Sequence, residues 1–436
     1  MEPVNQRHSP NNPHGDDKVI DACSIFGMMD QSGNLFSGHD VIAAIANMHD
    51  RGNGLGGGFA VYGCYPEFAD WYALHVMYME YGVREDVEGY LRGHFRLHLA
   101  EEIPTRASAA VGDPPQLWRY FVSCEETADA GPAPDDYVVQ QVMRVNTRFP
   151  HAFIFSSGRN MGVFKGLGYP EDVAEFYGLD DYRGYIWTAH GRFPTNTPGW
   201  WCGAHPFSIL DWTVVHNGEI SSYGINRRYL EGCGYRCTME TDTEVIAYAV
   251  DLLIRRHGLS IEAAAVVLAP PLWSEIERQD EPRARLLAAL RQVYPSLLMN
   301  GPFTVIIAHA GEMIGLTDRI RLRPLTAARR GTVLYLSSEE SAIRLVAPEL
   351  DEVWTPLGGQ PVIARLLTRP CVDASAPRPP TPTVGDVPPG RLYVAGAPTP
   401  ARRDVPVARL AAATLGELVP PGLDATEATL PRGARR

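Results

Sequence analysis

Residues 188–220 read TAHGRFPTNTPGWWCGAHPFSILDWTVVHNGEI. The stretch predicts a strand from Tyr185 to His190, a turn-rich loop, a second strand from Thr213 to His216, and a polar HNGE turn. Arg192 falls just past the first strand, and Asn217 and Gly218 just past the second. Strand ends that deliver one Arg and one Asn-Gly pair suit a small anionic substrate. Arg grips a carboxylate through a two-pronged, charge-assisted fork, while an Asn amide and a glycine N–H can hold an oxyanion. The plain alternative is a hairpin whose polar tip only turns the chain.

Composition narrows the classes. At 436 residues the chain holds two or three average domains, or one large domain with additions. A formal net charge of −12 lacks the basic footprint of a nucleic-acid binder. No apolar run is long enough to span a membrane, and the polar N-terminus has no secretory signal pattern. Seven cysteines at scattered positions suit reduced thiols in a cytoplasm better than a disulfide framework. Cys233 and Cys237, with Cys202 and His205 near them in sequence, have no second matching pair, so no metal site is expected.

Outward from the central stretch, residues 1–22 have the composition of a disordered leader. Order is expected to begin at Cys23, where CSIFGMM reads as a strand, followed by a helix from Val41 to Met48 capped by Asp40. The glycine-dense RGNGLGGG feeds a strand from Phe59 to Tyr62 and suits close backbone packing more than phosphate binding. From Trp71 to Pro150 strand-like and helical pieces alternate, with an acidic linker from Glu125 to Asp136 read as a loop. TDTEVIAYAVDLLIRRHG is a helix capped by Thr241 or Asp242. Further strands run through FTVIIAHA, EMIGLT, TVLYLSS, EVWTPL and PVIARL. From Pro370 a Pro/Ala-rich tail takes over, expected to be mostly disordered with room for one docking helix.

Cys23, Arg192, the Asn217-Gly218 pair and Asp242, in this order, resemble the class II (N-terminal nucleophile) glutamine amidotransferases. The matches are CSIFG after a leader, the RG…GG region, HGRFPTNT…W…AHPF, HNGEI and TDTE. RFPTNT, AHPF and YLSSEESAI are similar to the amidotransferase part of glutamate synthase. The likeness spans Cys23 to Leu367. It implies an α+β fold, the Ntn-hydrolase four-layer αββα sandwich of two antiparallel sheets. It also implies one domain over residues 23–369, an insertion within 71–150, a leader (1–22) removed in maturation, and the tail (370–436) outside.

The resemblance also implies the chemistry. Cys23 attacks the side-chain amide of L-glutamine, and its own α-amine is the base. That amine titrates near ~8 and a thiol near ~8.5, so the two exchange a proton around neutral pH. Asn217 and Gly218 form the oxyanion hole, Arg192 takes the substrate carboxylate, and Asp242 its ammonium group. His190, Thr195, Asn196, His216 and Glu219 are motif neighbours expected to support them. The base exists only once residues 1–22 are gone, so cleavage between Ala22 and Cys23 is expected. Ser24 departs from the glycine that usually follows the nucleophile. No cofactor is expected in this chain. Ammonia would pass to a separate synthase subunit carrying FMN and an iron–sulfur cluster. Two alternatives stay open: an amidotransferase for another acceptor, as in N-methylglutamate formation, and a catalytically silent scaffold subunit.

Overall fold

The protein was analysed as a computed structural model that describes residues 22–124, 133–193 and 199–367, with the backbone of 392–393. Its described part is built on three larger antiparallel sheets around one contiguous hydrophobic core.

The first sheet has seven strands in the order Glu352–Trp354, Thr326–Arg330, Val333–Ser337, Ser24–Asp30, Ile186–Gly191, Gly57–Tyr62 and Met161–Gly166. The strand that follows Cys23 therefore lies at its centre. The second sheet orders Phe207–Ile209, Trp212–Gly218, Phe303–His309, Glu312–Thr317 and Val362–Arg365. The two sheets face each other, with Ser24–Asp30 and Ile186–Gly191 against Trp212–Gly218 and Phe303–His309. Helices His39–Ala46, Pro170–Tyr177 and Glu340–Val346 cover the first sheet, while Asp242–Val250 covers the second. Covered on both faces, the central strands carry continuous apolar runs rather than alternation; SIFGMMD is buried at every position.

Residues 72–156 build the third sheet from Arg96–Glu102, Gln116–Ser123, Tyr72–Tyr78 and Ala152–Ser156, with helices Val83–His94 and Pro134–Arg148. Leu392–Tyr393 pairs with Ala100 and Leu99 at its edge. The excursion leaves and re-enters the first sheet at adjacent points. Tyr62 pairs with Met161, and the Gly63 N–H donates to Asn160 O at 2.7 Å.

Several expectations need correction. The plain alternative for the central stretch, a hairpin, falls away: Ile186–Gly191 lies in the first sheet and Trp212–Gly218 in the second. His216, Asn217 and Gly218 still belong to their strand, so the turn starts later. Beside the two sheets expected for the sandwich stands the third, over the stretch where an insertion within 71–150 was expected. Its strand Arg96–Glu102 is hidden in sequence because His98 and Glu101 are buried polar residues: Glu101 pairs with Arg119 and His98 stacks on Trp71. Met161–Gly166 is masked in the same way by two glycines and by Lys165, fully buried with its Nζ on Cys202 O at 2.9 Å. The acidic linker ends earlier than expected, since Pro134 to Asp136 open a helix, and residues 125–132 lie outside the described residues. Asp40 sits in the first turn of its helix, whose cap is Gly38. The TDTE helix is capped by Thr241 and passes after Val250 into a wider π-turn over Asp251–Arg256. The leader lies outside the described residues up to position 21, and the tail does so apart from 392–393. Among the described residues no helix is long and apolar enough to cross a membrane.

Candidate active site

Cys23 is placed by the first sheet. Its carbonyl accepts from Arg51 Nε and Nη2, both at 3.3 Å, and Arg51 Nη1 is held by Glu339 Oε1 at 2.7 Å. The half-buried thiol meets the Phe193 backbone: the Phe193 N–H donates to Sγ at 3.3 Å, and Sγ is 3.7 Å from Phe193 O. Burial pushes the thiol above its ordinary pKa. The Phe193 N–H and the positive charge of Arg192 oppose that rise, and the carboxylates of Asp242 and Glu219 add to it. Cys23 and Arg192 thus lie within electrostatic reach of each other and of both Asp242 and Glu219.

Arg192 is buried, and its backbone N–H donates to Gly56 O at 2.9 Å. Burial lowers its pKa, and Cys23, Asp242 and Glu219 pull it back up. Asp242 opens its helix. Burial would raise its carboxyl, yet His216, the Ile220 N–H (2.9 Å to Oδ2) and the Thr243 hydroxyl together hold it below the usual carboxylate range.

Asn217 is fully buried at the end of its strand. Its Nδ2 donates to Ser338 Oγ at 3.3 Å, and the same oxygen accepts the Ile25 N–H at 3.2 Å. Ser338 so ties the Asn217 amide to the residue two beyond the nucleophile. Asn217 Oδ1 has no partner among the described residues. Gly218 adopts φ +141°, and a Cβ there would stand 2.0 Å from Pro302 O, so the backbone conformation demands glycine. The Glu219 N–H donates to the same Pro302 oxygen at 3.0 Å.

His190 Nε2 lies 2.9 Å from His216 O, and burial first of all lowers its pKa to about 3. His216 Nδ1 is 3.6 Å from Asp242 Oδ1. Thr195 and Asn196 lie outside the described residues. Ser24 pairs with Gly191, and its Oγ occupies space that a Cβ at Gly191 would enter at 2.5 Å. The side chain at position 24 is thus matched by the glycine opposite it. In the loop after Arg192, Trp201 is core, with its indole N–H on Gly112 O at 2.8 Å. Arg51, Ser338 and Glu339 were not singled out in the sequence, although they sit in two stretches, the RG…GG region and YLSSEESAI, that carry the resemblance. Among the described residues no group of three or more His, Cys, Asp or Glu side chains is arranged to hold a metal ion.

A family model described as "Glutamine amidotransferases class-II" matches residues 105–353, more than half of the chain. The chain belongs to the class II glutamine amidotransferases. The matched span of this amidotransferase contains Arg192, Asn217, Gly218 and Asp242, and Cys23 lies ahead of it. An uncharacterised protein of Archaeoglobus fulgidus is 57% identical over 357 residues, covering 81% of this chain and 94% of that protein. A glutamine–fructose-6-phosphate aminotransferase (isomerizing) of Sulfurisphaera tokodaii is 32% identical over 102 residues, which cover 23% of this chain and 17% of the relative. The glutamine phosphoribosylpyrophosphate amidotransferase of B. subtilis aligns in structure with a TM-score of 0.41 and 15% identity, over 79% of this chain and 47% of that one. The amidotransferase therefore spans less than half the length of each of these last two proteins.

Proposed function

We propose that this amidotransferase hydrolyses L-glutamine through a Cys23 thioester and hands the ammonia to a separate glutamate-synthase-like subunit. One observation carries the assignment of the base. Among the described residues, the hydrogen-bond partners of Cys23 Sγ are the backbone atoms of Phe193, and none is a side chain. A thiol pushed up by burial needs a base within reach. The α-amine that cleavage between Ala22 and Cys23 would create is attached to the same residue, and this is the reading we adopt.

In the proposed reaction the amine takes the thiol proton as sulfur attacks the amide carbon. The carbonyl oxygen gathers the negative charge, facing the Asn217 side-chain N–H and the Gly218 backbone N–H, each worth about 3 kcal/mol to the transition state. Collapse breaks the C–N bond, and the amine returns the proton to the departing ammonia. Water then cleaves the thioester to glutamate. Arg192 binds the glutamine α-carboxylate and Asp242 its α-ammonium, with Glu219 beside them.

On this reading the helices and facing sheets are the αββα sandwich of the Ntn hydrolases, with residues 23–369 as the catalytic domain. HGRFPTNT, AHPF and YLSSEESAI support the glutamate-synthase branch. The partner would carry FMN and the iron–sulfur cluster.

Intact mass and ammonia release, measured together, test the proposal. The expected result is a mature chain beginning at Cys23, with glutamine-dependent ammonia release that disappears in Cys23→Ala. Full activity in a chain that still carries residues 1–22 would overturn the N-terminal base. Coexpression with the synthase subunit tests ammonia delivery, and full glutamine-dependent synthase activity in the purified chain alone would overturn the two-subunit reading.

A further inference from the structure

Behind Asp242 lies a buried polar cluster that the proposed reaction leaves without a task. His190 comes from a strand of the first sheet, His216 from a strand of the second, and His205 from the loop between them. Thr243 follows Asp242 on the helix. All four are buried, Thr243 and His190 completely. The His190 and His205 rings stack with centroids 3.9 Å apart. His205 Nε2 is 2.7 Å from Thr243 Oγ1, and His216 Nδ1 is 3.1 Å from the same oxygen. That oxygen is 3.4 Å from Asp242 Oδ1.

The direction of these hydrogen bonds follows from what else the rings meet. Among the described residues, His190 Nδ1, His205 Nδ1 and His216 Nε2 have no partner. A buried N–H without an acceptor is rarer and costlier than an idle lone pair. The proton of His205 therefore sits on Nε2 and is donated to Thr243 Oγ1. By the same reasoning His190 donates from Nε2 to His216 O. Burial, then neighbouring positive charge that includes Arg192, keeps both rings uncharged. By the same rule His216 carries its proton on Nδ1, beside Thr243 Oγ1; since that oxygen already receives a hydrogen from His205, its own hydrogen is left for Asp242 Oδ1. The other carboxylate oxygen, Oδ2, is held by the Ile220 N–H at 2.9 Å. Asp242 is thus gripped on both sides before any substrate arrives. Preorganisation of this kind strengthens binding by removing the cost of fixing the group at the moment of contact.

We infer that Thr243, oriented by His205, is a positioning residue that fixes Asp242 toward the α-ammonium group of the substrate. The inference rests on the reading of Asp242 as the ammonium partner. Its test is the kinetics of Thr243→Val, a nearly isosteric change that deletes only the hydroxyl, beside Thr243→Ser and Asp242→Asn, each with glutamine and with the analogue lacking the α-amino group. Thr243→Val is expected to raise the glutamine KM about tenfold while kcat stays within about twofold, the loss of one hydrogen bond to a charged group. Discrimination against the des-amino analogue should fall with it, and Thr243→Ser should restore both. Should Thr243→Val not fold, His205→Phe keeps the ring stack, removes the donor to Thr243, and should give the same rise in KM. If Asp242→Asn raises KM but folded Thr243→Val leaves it unmoved, the inference alone fails. If Asp242→Asn leaves KM unmoved, the ammonium reading fails and the inference with it.

Discussion

At the residue scale the environment of Cys23 makes a pH prediction. Only the thiolate is nucleophilic, and burial shifts this thiol above its ordinary pKa. A raised pKa means that the reactive form is gained at higher pH. In chain that retains residues 1–22, alkylation of Cys23 by iodoacetamide should be slow near neutrality and keep climbing past about pH 8.5, where an ordinary cysteine levels off. Peptide mass mapping of the labelled cysteine at a series of pH values checks this, and a plateau near the ordinary value would contradict it. The five residues that suggested this chemistry were all legible in sequence, because their types are chemically demanding. What could not be read was the support beneath them. Ser338 and Arg51 act through a hydroxyl shared with Asn217 and a guanidinium on the Cys23 carbonyl, and neither contact leaves a periodicity or spacing signal. Ser24, a departure when seen alone, is matched by Gly191 on the neighbouring strand.

At the scale of the element, the TDTE helix shows how one short motif is divided between structure and site. Thr241 accepts the Glu244 N–H at 3.2 Å as the cap, which frees the Asp242 carboxylate to face Ile220 and His216. Glu244 turns back to accept the N–H groups of Thr238 and Met239, each at 3.0 Å. Burial raises its carboxyl to about 7, against the pull of those two N–H groups. The fold therefore favours the protonated acid. Stability from this group is complete below the unfolded value, near ~4.3, and is lost as pH rises to about 7. Glu244→Gln removes that titration at the cost of one acceptor for the backbone. The thermal midpoint of the parent minus that of Glu244→Gln should fall as pH is raised from about 5 to about 8; an unchanged difference would count against the raised acid. Periodicity found this helix and the apolar strands. It missed strands such as Arg96–Glu102, where buried ion pairs and stacked rings take the place of apolar side chains.

For the whole molecule, the decisive relation was the one sequence could not give: which sheet each strand joins. A strand buried on both faces carries no mark of its partner, so nothing in the stretch at 188–220 excluded a hairpin, and only the fold puts its two strands in different sheets. The two sheets are stitched by Tyr62, whose hydroxyl lies 2.8 Å from both Asp211 O and Thr213 Oγ1 and 2.9 Å from Ala308 O. Tyr62→Phe keeps the ring and strips the hydroxyl from buried groups of the opposite sheet. It should cost about 1–3 kcal/mol, measured by denaturant unfolding, with an unchanged slope of stability against denaturant. A neutral result would mean that the ring alone holds the seam. The excursion over residues 63–160 has a consequence of another kind. Because it departs and returns between directly paired residues, Tyr62 and Met161, the ladder of the first sheet is already closed beneath it. The amides of the third sheet are therefore expected to exchange with solvent through sub-global openings ahead of those of Ser24–Asp30, and equal protection of the two in hydrogen exchange would count against this.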